Sequence, residues 1–89
     1  MKKNDIVTVM TSVGEYIAKL EVIDETGVHV KNPRLIVQSP EGEIGFGRGV
    51  SMSAIENTPE LCFRDCIFVA PANESFQKAW VEATSGIIL

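Results

Sequence analysis

The chain has 89 residues, of which 45% are hydrophobic and 22% charged, with a formal net charge of -4. This is the make-up of one globular domain rather than a disordered chain, and a chain so short buries only about 60–65% of its unfolded surface, so a partner subunit would add useful buried area. The acidic balance argues against a protein that coats a long phosphate backbone, which presents a basic face, and leaves room only for a small local basic site.

Met1-Lys2-Lys3-Asn4-Asp5 is charged and leads into no long apolar stretch, so no signal peptide is expected. No run approaches the roughly 20 apolar residues that span a membrane, and the expectation is a soluble, cytoplasmic protein without membrane contact. Ile6-Val-Thr-Val-Met-Thr11 is rich in β-branched residues and reads as a first strand. Ser12-Val13-Gly14-Glu15 follows as a turn, with Gly14 free to take positive φ.

From Glu15 to Asp24 the chain alternates. Tyr16, Ala18, Leu20 and Val22 fall on one face, and Glu15, Lys19 and Glu21 on the other, so a second strand with one buried face is expected. Ile17 and Ile23 imply that the second face is partly covered too. Asp24-Glu25-Thr26-Gly27 is a β-turn signal. Val28 and Val30 then alternate with His29 and Lys31. Asn32-Pro33 interrupts, because proline cannot donate to a ladder and marks an edge or bulge, and Leu35-Ile36-Val37 continues the strand.

Ser39-Pro40-Glu41-Gly42 reads as a turn. In Ile44-Gly-Phe-Gly-Arg-Gly-Val50 the glycines permit a sharp bend or a close backbone approach. Thr58-Pro59-Glu60 breaks the chain again, and Leu61 to Ala70 reads as a last strand, buried on both faces. Phe76, Ala79, Trp80 and Ala83 then take the spacing of an amphipathic helix, with Asn73 as its cap and Gly86 as its stop. The apolar tail Ile87-Ile88-Leu89 is expected to be docked. Five short strands and a helix point to a mainly β small barrel.

Cys62 and Cys66 are spaced C-x3-C. On one strand such residues lie ~13 Å apart, beyond disulfide reach, and a metal site would need further ligands. Both are read as buried free thiols, with no metal and no cofactor. No catalytic residue stands out: His29 has no nucleophile patterned around it, and Gly45-x-Gly47-x-Gly49 has neither the dinucleotide-binding spacing nor the Lys-Ser/Thr ending of a phosphate loop. The chain is therefore read as a non-enzyme.

Gly14, Ala18, Leu20 and Asp24 stand where the first motif of the Sm/LSm family has its glycine, small residue, leucine and aspartate, although the gap between Gly14 and Ala18 is one residue short. The second motif, an apolar strand, an Arg-Gly turn and another apolar strand, has two candidates. Phe46-Gly47-Arg48-Gly49-Val50 carries the Arg-Gly letters. Phe63-Arg64-Asp65-Cys66-Ile67-Phe68-Val69 fits the topology better but has aspartate for glycine. Lys31-Asn32-Pro33-Arg34-Leu35-Ile36, Glu43-Ile44-Gly45-Phe46, Ile67-Phe68-Val69-Ala70-Pro71 and the closing helix also resemble the small Sm-like proteins of T4-like phages, cyanophages included.

The resemblance implies a single Sm-like domain, residues 1–89. It would be a five-stranded, strongly bent Sm-like (SH3-like) barrel over 5–72 with a C-terminal helix over 74–85. It also implies a homo-oligomeric ring whose neighbours pair edge strands, in the host cytoplasm if the gene is a phage's. Such rings hold single-stranded RNA on loops, with cationic and stacking side chains. The residues that could do so here are Asn32, Arg34 and Arg64, with Arg48, His29 and Lys31. Asn32-Pro33-Arg34 is equally read as a bulge with polar flanks. The rival reading is a structural ring with no nucleic-acid role, which binds a protein through the C-terminal helix and tail.

Overall fold

The computed structural model describes residues 1–47 and 49–85. Its elements are β1 (Ile6–Thr11), β2 (Gly14–Asp24), β3 (Gly27–Gln38), β4 (Ile44–Phe46), β5 (Glu60–Phe63), β6 (Phe68–Pro71) and α1 (Glu74–Thr84). The strands form one antiparallel sheet in the order β4-β3-β2-β1-β6, and β5 also pairs with β3. The mainly β architecture with a C-terminal helix is as expected. Arg48, the helix stop Gly86 and the tail Ile87-Ile88-Leu89 lie outside the described residues.

Six strands form instead of five because the apolar run after Glu60 divides. Phe63 is drawn into the core, the polar pair Arg64-Asp65 leaves the ladder, and the chain re-enters the sheet at Phe68 on the far side of β1. This division forces curvature. In the order β5-β3-β2-β1-β6 the outer strands would stand four spacings, about 19 Å, apart on a flat sheet. The connection from Phe63 to Phe68 reaches at most about 17–18 Å. The sheet therefore curls, with Phe63 and Val69 packing on one hydrophobic cluster. It curls without closing: among the described residues β6 pairs with β1 alone and β4 with β3 alone.

That cluster is the inner core: Val7 and Val9 of β1, Tyr16, Ala18 and Leu20 of β2, Val28 and Val30 of β3, and Phe63. The period-two pattern of each strand puts these side chains on one face. The Tyr16 and Phe63 rings stand 4.9 Å apart at a tilt of 53°, and the Tyr16 hydroxyl donates to the Val50 carbonyl at 3.1 Å. Val22 and Ile23 are half-exposed rather than covered. A bulge between Leu20 and Val22 carries the end of β2 off the core. The Ser12-Val13 turn needs no positive φ at Gly14. Its glycine is a matter of room, since a Cβ there would come within 2.9 Å of Leu35 Cδ1. Gly27 does take positive φ, +138°, and a Cβ would sit 2.4 Å from the Phe63 carbonyl oxygen.

The opposite face is partly covered by α1. Asn73 caps the helix, its Oδ1 accepting from the Phe76 amide at 2.9 Å. Trp80 is buried with Ile17 and Ala72, and Ile6, Ile36, Phe46 and Phe76 pack around them. The buried side of α1 runs through Trp80 and Thr84, whereas Ala79 and Ala83 of the expected stripe are exposed. Thr84 can be buried because its hydroxyl donates back to the Trp80 carbonyl at 2.9 Å.

Candidate functional site

β3 is the hub on which most of the expected site residues lie. One of its edges pairs with β2. The other is divided, with β5 taking Val28 to Lys31 and β4 taking Ile36 to Gln38. The division falls at Asn32-Pro33, where proline has no amide to offer.

Ahead of the division, His29 lies opposite Cys62, and Lys31 opposite Glu60. With Glu21, Val22, Val30 and Leu61 they line a shallow cavity of about 310 Å³. The Lys31 ammonium is 3.6 Å from one Glu21 oxygen, and Lys3 is 3.5 Å from the other. His29 Nε2 lies 2.6 Å from the Thr26 hydroxyl and 3.3 Å from Asp24 Oδ1. The Thr26 hydroxyl in turn donates to Asp24 Oδ1 at 2.6 Å. A hydroxyl that gives its one proton to Asp24 accepts from Nε2–H, and this assigns the proton of His29 to Nε2.

The assignment decides the chemistry of Cys62. Its sulfur is 3.7 Å from the same Nε2. A nitrogen that carries a proton cannot take one from the thiol, so His29 is not placed as a base for Cys62. The thiol instead donates to the Thr26 carbonyl at 3.6 Å. The hydrogen bonds from the Thr26 hydroxyl and amide hold the Asp24 carboxyl below the usual aspartate value, and His29 adds to this. Cys62 and Cys66 are both free and half-buried. Among the described residues no group of three or more His, Cys, Asp or Glu side chains could hold a metal ion.

At the division itself Pro33 and Arg34 are buried and Asn32 is half-buried. Asn32 adopts φ +49°, its amide donates to the Pro59 carbonyl at 2.9 Å, and its own carbonyl accepts from Trp80 Nε1 at 2.9 Å. β3 carries an extra residue here relative to β2, between the pairs Ile17–Arg34 and Lys19–Lys31. Pro33 is fully buried, and Arg34 is only 4% exposed. Burial lowers the Arg34 pKa from its ordinary value, though a guanidinium stays charged. Pro33 and Arg34 are thus buried at this joint, and the half-buried Asn32 ties it to α1 through its backbone carbonyl.

Arg64 is exposed in the connection after β5, and its Cα lies against Gly27 of the β2–β3 turn. The structure therefore brings His29, Lys31 and Arg64 to one end of the sheet and sets Arg34 apart from them. Around these three stand Glu21, Asp24 and Glu60, with Lys3 paired to Glu21 and Lys19 opposite Lys31 on β2, so acids and bases are mixed at this end.

The sequence reading passed over the free edges as particular residues. Ile67 is 66% exposed and Phe68 48%, where the chain enters β6, and Ile44 is 57% exposed at the start of β4. The signal was present: Phe68 and Ile44 are apolar residues in strands whose outer side has no pairing partner among the described residues, and Ile67 directly precedes β6. Among the described residues no helix is long and apolar enough to cross a membrane. No protein-family model, curated protein or solved structure matches the chain.

Proposed function

We propose that this chain is a non-enzymatic, Sm-like protomer that assembles edge to edge into a homo-oligomeric ring and serves as a protein scaffold. The observation that carries this reading is the pair of open edges on one curled sheet. Among the described residues β6 ends the sheet on one side, and β4 and β5 end it on the other, each paired with one neighbour; β6 and β4 bear the exposed Phe68 and Ile44. Open apolar edges are templates for pairing with another chain. An edge of one kind meeting an edge of the other kind makes a heterologous contact, which closes into a ring when the rotation allows.

The RNA-binding form of the same reading would rest on His29, Lys31 and Arg64. It is the weaker form, because Lys31 and His29 are engaged with Glu21 and Asp24 and the chain as a whole carries a formal net charge of -4. Repetition around a ring would multiply a weak site, but would multiply its acids as well.

The test is light scattering on the purified protein with absorbance recorded at 260 and 280 nm. The expected result is a single multiple of 9.7 kDa with no excess signal at 260 nm. A monomer at all concentrations would overturn the assembly reading. A ring with co-purifying nucleic acid would overturn the scaffold form in favour of RNA binding.

A further inference from the structure

We infer that the cavity between the outer face of β1–β2 and the start of α1 is a binding site for a primary alkylammonium group, with Glu15 as its counter-charge. Assembly into a ring is not required for it. Strand alternation builds the floor. Val7, Val9, Tyr16 and Ala18 belong to the inner core, so Thr8, Glu15 and Ile17 stand on the opposite face. Thr8 and Ile17 are cross-strand partners, and Ile36 of β3 extends the floor. The rest of the lining comes from Pro71 and Ala72, where the chain leaves β6, and from Asn73 and Phe76 at the start of α1. The cavity holds about 210 Å³. This is below the roughly 300–1,000 Å³ of pockets that take drug-sized ligands, so the occupant is a short chain with a compact head.

The lining is mostly apolar, and one charged side chain faces it. Glu15 is half-buried there. The Thr8 hydroxyl donates to Glu15 Oε2 at 2.9 Å. Having given its one proton, Thr8 Oγ1 offers only lone pairs, and an ionised carboxylate likewise only accepts. The polar part of the floor is therefore an acceptor surface with a negative charge. Among the described residues no cationic side chain forms an ion pair with Glu15. What complements this surface is a cation rich in donors on an apolar stem.

The geometry favours an ammonium over a guanidinium. A guanidinium binds best when both carboxylate oxygens are free for its fork, and here Oε2 is shared with Thr8. An ammonium is a compact charge with three donors that can turn to whichever acceptors remain. Its alkyl stem lies against Ile17, Ile36 and Ala72, and Phe76 adds an aromatic surface of the kind cations favour. The start of α1 opposes a cation, but with only about half an elementary charge, against the full charge of Glu15. One of the helix amides there, that of Phe76, is already taken by Asn73 Oδ1.

The experiment follows the Ile36 methyl resonances in carbon-13 spectra of the wild-type protein, assigned by their disappearance in Ile36→Val. n-Butylammonium chloride, 1-butanol and sodium butyrate are titrated separately at constant ionic strength. The expected result is a saturable shift with n-butylammonium, at a Kd on the order of millimolar for so small a ligand. Butanol and butyrate should bind more weakly. Glu15→Gln keeps the size of the side chain and an acceptor for Thr8 while removing the charge, and should weaken n-butylammonium by about tenfold or more. Lysine side chains and free amines share this chemistry. A lysine capped at both ends, titrated in the same way, assigns a lysine of a protein partner if it binds more tightly than n-butylammonium, and a free alkylamine if it binds less tightly. Any of three results overturns the site: a shift that is absent or strictly linear with n-butylammonium, equal or tighter binding of butanol or butyrate, or a folded Glu15→Gln variant with wild-type affinity. The comparison among the three probes is made on the wild type, so it holds whether or not Glu15→Gln folds.

Discussion

The joint in β3 and the two ends of the sheet are built from opposite ingredients. At Asn32-Pro33-Arg34 two of the three residues are polar and backbone pairing is interrupted, yet Pro33 and Arg34 are buried and Asn32 is half-buried. The Asn32 amide goes to Pro59, its carbonyl to Trp80, and the residue without an amide occupies the place where a ladder bond would be missing. At β4 and β6 the residues are apolar, and the outer edges are left open. Polarity in sequence is therefore a poor guide to which surface is available. The available surface is where backbone donors and acceptors remain uncommitted, and here that is the apolar edges.

The sharpest way to break the comparison is at the joint. Trp80→Ala removes the largest buried side chain of α1 together with the bond to Asn32, and should destabilise by about 3–5 kcal/mol in a denaturant titration. Trp80→Phe keeps an aromatic ring and leaves the Asn32 carbonyl unpaired, so about 1–3 kcal/mol should remain of that loss. Wild-type stability in Trp80→Ala would mean that α1 does not hold the joint.

Asn32 provides the next largest effect. At φ +49° a β-branched side chain is strained, and Asn32→Val should cost about 1–2 kcal/mol. Asn32→Gly, which adopts this conformation freely, should stay within about 0.5 kcal/mol of wild type. If both variants fell equally, the Asn32 side chain rather than its backbone would be what matters. At the open edges the order reverses. Ile44→Lys and Phe68→Lys should change the stability of the isolated domain by no more than about 0.5 kcal/mol, yet each should lower the mass seen by light scattering to that of a monomer. An unchanged oligomer would remove both edges from the interface.

How much of this was legible in the sequence follows from the range of each signal. Strands β1 to β3 show in alternation that any reading of Ile6 to Val37 finds, and α1 in Asn73 followed by Phe76 and Trp80, because these signals are local. The division of Leu61 to Ala70 is not local. Arg64-Asp65 could interrupt one strand or end it, and only the pairing of β5 with β3 and β6 with β1 decides. The face of α1 was misread because Ala83 is apolar and Thr84 is not, although a threonine that bonds to its own helix can be buried. The pairing of the Asn32 carbonyl depends on Trp80, 48 residues beyond Asn32. The approach of Cys62 to His29 spans 33 residues and has no trace in spacing.

The smallest effect tests the polar end against the joint. Asp24 is exposed, and its carboxyl is held below the ordinary value by Thr26 and then His29. A carboxyl lowered in the folded state favours folding above its unfolded pKa, and that contribution is lost as pH falls through the folded value. The window therefore lies below about pH 4. Other carboxylates titrate there too, so the measurement is the difference between wild type and Asp24→Asn in denaturant midpoint as pH falls from 6 to 2. The two curves should converge at low pH, with wild type slightly ahead at pH 6. Parallel curves would mean that the Asp24–Thr26–His29 cluster contributes nothing to holding the turn. The effect is small because Asp24 and Thr26 are exposed and His29 is half-exposed, where solvent already satisfies much of what the turn brings together.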